Sequence, residues 1–289
     1  MPVPFKRNDP QTYATVLKSL YPSHGGLQQH FKLGHCQAVW DLRQMEKIAR
    51  VHEIWHGTEN LIVSQDGVTV ALGGLDGTER GTYKSRSWLH FDQSPTDSRE
   101  KCLQSSVTGN DVGIGSATFR FLEKSHLFHA EFAEHFNLVA KEYKKDYFKL
   151  SAAHVQWFKS KGCEDTCLTC EEGTQIFWDS RTVHSGIEAL PLRTLPTRHD
   201  SGVEVSTGIR LVAYICYQPD MLSSANRLKR KRIMEEGDPL FLRCSSHWPN
   251  KMKVFTGAPN TWGGTLPKVA DLPKPVLTER GERLAFGYA

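Results

Sequence analysis

The stretch Trp88-Leu89-His90-Phe91-Asp92-Gln93 decides how the rest of the chain is read. Side chains on an extended strand alternate between faces, so His90 and Asp92 project from the same side. An imidazole and a carboxylate so placed are two of the three ligands that hold non-haem Fe(II) by one face and leave other positions open. Such a site needs a second histidine from a distant strand. Trp178-Asp179-Ser180-Arg181-Thr182-Val183-His184 supplies it, at the end of a strand expected to run from Thr174 to His184. A later strand, Gly208-Ile209-Arg210-Leu211-Val212-Ala213-Tyr214, adds a cation suited to a dicarboxylate. In a chain with thirteen histidines a lone His-x-Asp is a weak signal. The ordered set of three is much stronger.

Bulk properties narrow the class. A chain of 289 residues, 39% hydrophobic and 24% charged, is long enough to bury a substantial core. The net charge of +4 suits an anionic small-molecule substrate but falls short of a nucleic-acid-binding signature. No apolar run reaches membrane-spanning length, and Met1 to Arg7 lacks the core of a signal peptide. An intracellular, cytoplasmic protein is expected. Seven cysteines then read as reduced thiols.

The first 57 residues read as helical. Asp9-Pro10 opens a helix closed by Pro22, and a second runs from Asp41 to a cap at Gly57. Leu61–Gln65 and Val68–Leu72 flank Asp66-Gly67, a hairpin signal. A polar loop, Gly73 to Ser87, leads into the His90 strand. Cys102–Thr108 and Ser116–Leu122 are further strands. Ser125 begins a helix with an apolar stripe at Phe128, Phe132 and Phe136, and Ser151 caps another closed by Gly162. His126, His129 and His135 beside that stripe read as core and surface residues rather than ligands. A polar insertion, Glu188 to Thr207, precedes a single strand from Gly208 to Gln218. Residues 220–289 are expected to form one helix and an irregular wrap, with the β core over 58–219 and a single domain over 1–289.

Two features invite other chemistry. Cys163, Cys167 and Cys170 offer three thiols toward a zinc site, which needs a fourth ligand, Cys102 or Cys244, from far away. The basic run Arg227-Leu228-Lys229-Arg230-Lys231-Arg232 suits nuclear import or phosphate binding, but a solvated helix face is the favoured account, since acidic residues follow at Glu235 and Glu236.

Taken with Trp40-Asp41-Leu42-Arg43, Lys124-Ser125-His126 and Ser245-Ser246-His247-Trp248-Pro249, the three elements resemble the phytanoyl-CoA dioxygenase-like branch of the Fe(II)/2-oxoglutarate-dependent oxygenases. The similarity covers roughly residues 40 to 250, and Trp-Asp-Ser-Arg-x-x-His is its most specific part. It implies a mainly β fold with flanking helices around a double-stranded β-helix, the jelly-roll core of cupins. His90, Asp92 and His184 match the family's metal ligands. Arg210 matches the arginine that receives the far carboxylate of 2-oxoglutarate; the gap from His184 to Arg210 is longer than usual, and Arg193 is its competitor. Gln104 is a further cosubstrate contact, with Gln93, Tyr83 and Trp178 as substrate-pocket residues.

The resemblance implies Fe(II), 2-oxoglutarate and O2, with oxidative decarboxylation to succinate and CO2 coupled to hydroxylation of an unactivated C–H bond. An acid at Asp92 leaves no coordination position for halide, which favours hydroxylation over halogenation. Two readings compete with this one. The first is a cupin-like binder that keeps the metal ligands without turnover. The second is a zinc-containing, nucleic-acid-associated module built on the cysteines and the basic run.

Overall fold

The structure, a computed structural model, describes residues 27–28, 33–71, 88–189, 210–236, 247–251 and 273–287. The expected helix over 9–22, the loop carrying Tyr83, Arg193 with most of its insertion, and Cys244 lie outside these residues.

The described elements in chain order are β1 (Leu27–Gln28), α1 (Gln37–Gln44), α2 (Glu46–His56), β2 (Leu61–Val63), β3 (Val68–Ala71), β4 (His90–Phe91), β5 (Leu103–Thr108) and β6 (Thr118–Leu122). There follow α3 (His129–His135), β7 (Phe148–Lys149), α4 (Ala152–Ser160), β8 (Asp165–Cys167), β9 (Gln175–Asp179), β10 (His184–Ile187), β11 (Arg210–Tyr214) and β12 (Tyr217–Pro219). α5 (Ser224–Lys231) and α6 (Glu279–Phe286) complete the described α-helices and strands, beside short 3-10 turns at Leu33–His35 and Ser125–Phe128 and a π-helix at Arg232–Glu236. Two five-stranded antiparallel sheets have the orders β1-β3-β11-β5-β9 and β7-β4-β10-β6-β8. From β3 to β6, and again from β8 to β11, the chain crosses between the sheets at every step. That winding is a double-stranded β-helix.

Register shows which faces turn inward. In the first sheet Gln104 lies opposite Trp178, Thr108 opposite Val212, and Arg210 opposite Ala71. These residues share the face toward the second sheet. The outward face carries Val107 and Ala213, which pack with Trp40, Ile48 and Ala49 of α1 and α2. The second sheet turns Leu89, Phe91, Leu122 and Val183 outward against Phe132 and Phe158. The phenylalanine stripe is therefore core, with Phe91 and Phe132 edge to face at 5.4 Å. Ser151 caps α4 through a capping box with His154, as its sequence expects.

Several expectations are corrected. The Asp41 helix is two helices, because Met45 is extended (φ −67°, ψ 129°) between α1 and α2. Asp66-Gly67 makes no hairpin: β2 pairs with β12, while β3 pairs with β1 and β11. Local turn propensity loses here to a buried guanidinium. Arg43 donates from Nη1 to Gly34 O (2.5 Å) and from Nη2 to Asp66 O (2.9 Å), which holds the turn inside the fold. The strand expected over 174–184 breaks at Ser180–Val183, and that over 208–218 breaks at Ile215–Cys216. The C-terminal wrap contains a helix, α6, whose N-terminus Thr278 caps.

The basic run is not simply a solvated face. Arg230 is buried and donates to Ala285 O (2.6 Å), Pro249 O (3.0 Å) and Val63 O (2.7 Å), while Arg227 pairs with Asp220 at 2.8 Å. Burial lowers the Arg230 guanidinium to about 9. The zinc reading also loses its ligands, since Cys163 is buried in the second core and Cys167 lies in the edge strand β8 opposite Arg120. Among the described residues no helix is long and apolar enough to cross a membrane.

His52, fully buried between α2 and the first sheet, contacts Ser105 Oγ through Nε2 at 3.0 Å. Burial first, and then His56, holds its imidazole down to about 3; burial likewise holds His129 at about 4. The unfolded chain takes up these protons near pH 6.5 and the folded one does not. Stability is therefore fully present above that pH and falls as the pH drops toward the folded values. Urea unfolding at pH 7 and pH 5 should differ by roughly 1–2 kcal/mol for each of the two histidines, and His52→Gln should remove one share of that difference.

Candidate metal centre

The three ligand candidates meet between the sheets. β10 pairs with β4 so that His184 lies opposite His90. Asp92 follows β4, where the strand ends in a bend. His90 Nε2 lies 3.5 Å from Asp92 Oδ1, and His184 Nε2 lies 3.3 Å from Asp92 Oδ2. One ligand atom from each residue falls within 4.8 Å of the other two, and among the described residues no other such group of three occurs.

The two imidazoles are fixed by neighbouring backbone. His90 Nδ1 is 2.8 Å from Trp88 O, and His184 Nδ1 is 2.9 Å from Thr182 O. A carbonyl can only accept, so Nδ1 carries the proton and the Nε2 lone pair faces inward. Burial, and then the nearby His90, lowers the pKa of His184, which keeps that lone pair free of protons. For Asp92, burial alone would raise the pKa. The neighbouring imidazoles of His247 and His90, and then the close approach of His184 and His90, hold the carboxyl well below its ordinary range instead. Two lone pairs and a carboxylate thus converge in a buried space, an arrangement that a cation satisfies.

The surroundings keep these groups in place. Gln104, on the inner face of β5, donates from Nε2 to Asp92 Oδ2 at 2.9 Å. Trp88 and Tyr147 flank the His90 ring at 4.8 and 5.1 Å, and Phe119 and Trp178 flank His184, both at 5.4 Å. Gln104 Oε1, Ser106 Oγ and Trp178 Nε1 are buried on this inner face without a hydrogen-bond partner. Such atoms are costly unless something bound between the sheets completes them.

Arg210 opens β11 and is 3% exposed. Among the described residues it makes no ion pair or hydrogen bond. Its Nη1 reaches across to Gly186, two residues beyond His184 on the same face of β10, and would lie 3.7 Å from a Cβ there. Trp88 packs over Gly186 beside the guanidinium, and Trp88 Nε1 donates to Gly186 O at 2.7 Å.

Gln93 is a correction. Instead of lining a pocket it is fully buried, donating to Asp97 O and to Arg99 O (2.7 Å) and accepting from Ser180 Oγ (2.7 Å). The bend after Asp92 turns Gln93 inward, so that it ties the ligand loop to the turn before His184. Trp178 stands beside the His184 ring. Tyr83 and Arg193 lie outside the described residues. Sequence reasoning missed Trp88, Phe119, Tyr147 and Gly186 as neighbours of the site. Trp88 stood in a stretch already singled out; the others have no local signal.

Titration with Co(II), followed by its visible absorption, should show one cation per chain. His90→Ala, Asp92→Ala and His184→Ala should each abolish binding. Gln104→Leu, which leaves all three ligands in place, should weaken it by about 10- to 100-fold.

No family model matches the chain. It is 25% identical over 241 residues to the Ava biosynthesis cluster protein O of Aspergillus versicolor, covering 80% of this chain and 70% of that protein. Among solved structures it is similar to SnoN, the non-heme alpha ketoglutarate dependent epimerase from nogalamycin biosynthesis. The TM-score is 0.33 and the identity 14%, over 83% of this chain and 68% of that one. The described strands wind as a double-stranded β-helix and bring His90, Asp92 and His184 around one point.

Proposed function

We propose that the protein is an Fe(II)/2-oxoglutarate-dependent oxygenase that hydroxylates a C–H bond of a small molecule, with formation of succinate and CO2. The observation that carries this reading is Arg210, a buried guanidinium with no ion pair or hydrogen bond among the described residues, placed on the strand facing the His90–Asp92–His184 cluster. An isolated buried cation is strongly unfavourable, and a carboxylate ligand removes the cost through a bidentate charge-assisted pair.

Each residue then has a defined task. His90 and His184 hold the metal through Nε2, and Trp88 O and Thr182 O fix their tautomers. Asp92 supplies the negative charge, with Gln104 restraining one of its oxygens. Arg210 receives the far carboxylate of 2-oxoglutarate, and the space above Gly186 lets it extend. The aromatic rings around both histidines exclude water from the reacting centre. Fe(II) with 2-oxoglutarate and O2 supplies the oxidising power for the C–H bond when bound. Orientation and burial are the protein's part. The biosynthesis-cluster relative supports a small-molecule substrate.

Anaerobic addition of Fe(II) and 2-oxoglutarate should produce a metal-to-ligand charge-transfer band that is absent in Asp92→Ala and His184→Ala. Arg210→Ala should retain metal binding but weaken 2-oxoglutarate by roughly 10- to 100-fold, the loss of a charge-assisted pair. An unchanged affinity in that variant, with the loss appearing in Arg193→Ala instead, would move the clamp to the insertion. Failure to convert 2-oxoglutarate to succinate in air, with the band intact, would favour a binder without turnover.

A further inference from the structure

β7 is the edge strand of the second sheet, and its pairing with β4 sets Phe148 opposite Phe91 and Lys149 opposite His90. Directly opposed residues of an antiparallel pair share a face, with Cβ atoms about 5 Å apart. Phe148 goes outward with Phe91, their rings stacked at 6.2 Å in the second core. Lys149 therefore stands on the inner face, in line with His90 and, one strand further, with His184. Tyr147, two residues earlier, shares that face, and its ring lies 5.1 Å from that of His90. Lys149 and Tyr147 are both exposed, so the metal centre is open to solvent along this edge.

The Lys149 ammonium has no ion pair or hydrogen bond among the described residues. The acid in its own segment, Asp146, is taken by Lys101 at 3.3 Å and by Lys251 at 2.7 Å. Asp92 is committed to the two ligand imidazoles and to Gln104. The metal and Arg210 account for both carboxylates of 2-oxoglutarate, which leaves Lys149 without an anion. An inward charge on an edge strand also hinders pairing between molecules, a role that needs no ligand. The neighbourhood favours more than that. Trp88 at 4.8 Å and Tyr147 lie against the same ligand imidazole that Lys149 stands beside, so the three form a surface that is apolar at its base and positive at its rim.

We infer that Lys149 sets substrate specificity: its ammonium receives the carboxylate of an otherwise apolar substrate that lies over Tyr147 and Trp88 with its reacting C–H bond toward the metal. The net charge of the chain suits an anionic substrate without saying where that charge is received; the β4–β7 register supplies the position. This rests on the Fe(II)/2-oxoglutarate reading and goes further, to the substrate's chemistry and the residue that selects it.

The test is an anaerobic titration of the Fe(II)·2-oxoglutarate protein with matched pairs of probes, following the charge-transfer band as ligands enter beside the metal. The acids hydrocinnamate, naphthylacetate and decanoate are each compared with the primary amide, which keeps the shape and loses the charge. At least one acid should shift the band at lower concentration than its amide. The difference should shrink as salt is raised, because Lys149 is exposed. Lys149→Gln should bind that acid about fivefold more weakly, the upper end for a solvent-accessible ion pair, and should bind the amide as the wild type does. Lys149→Arg should keep the preference for the acid, and Lys149→Glu should reverse it. A lysine that only guards the edge strand would leave the affinities for acid and amide unchanged in every variant and alter aggregation alone. That result overturns the inference. So does a wild type in which no acid shifts the band, or in which every amide binds as tightly as its acid. Absence of the band before any probe is added is a separate result, which removes the Fe(II)/2-oxoglutarate reading and this inference with it.

Discussion

The antiparallel pairing of β10 with β4, with His184 opposite His90, is the constraint on which the site depends. It brings two imidazoles from distant parts of the chain to 4.6 Å between ring centres. The end of β4 after Phe91 then lets Asp92 turn toward both Nε2 atoms. That pairing is possible because the chain leaves the first sheet at Asp179 and enters the second at His184. Thr182 N donates to Asp179 O, and Arg181 clasps the Asp179 carboxylate at 2.6 Å, so the turn between the two sheets is itself fixed. Ser180 Oγ extends the same hold to Gln93, in the loop just beyond Asp92. The loops on either side of the metal ligands are thus one hydrogen-bonded unit.

Three buried arginines show how similar residues separate into structural and functional roles. Arg43 and Arg230 are fully desolvated, which lowers their guanidinium pKa values to about 10 and about 9. Both spend their donors on backbone carbonyls at chain crossings: Gly34 and Asp66 for one, Ala285, Pro249 and Val63 for the other. They join segments that no regular ladder joins. Arg210 is just as removed from water, yet its donors are directed into the space between the sheets beside Gly186. Burial is common to all three; what differs is whether the described residues supply an acceptor.

The same distinction applies to the histidines. His52 and His129 are buried against aromatic rings in the two cores and stay neutral because charging them there is unfavourable. His90 and His184 are also enclosed by rings, but each has one nitrogen committed to a carbonyl and the other turned toward a carboxylate.

The sequence by itself determined the ligand types, their order, and most of the elements that bear them. His90, Asp92, His184 and the β11 position of Arg210 were legible because a strand's period of two and a strand-borne cation are local properties. So were the phenylalanine stripe and the Ser151 cap. Tertiary structure alone decided the breaks at Ser180–Val183 and Ile215–Cys216, where extended propensity runs on but the chain must change sheets to wind the β-helix. It decided against the Asp66-Gly67 hairpin, since Arg43 and the β2–β12 pairing outweigh a two-residue turn preference. It also turned Gln93 away from the pocket, buried Arg230, and brought Gly186 to the site. Those outcomes depend on contacts between residues far apart in the chain, and nothing in their immediate sequence encodes the partner.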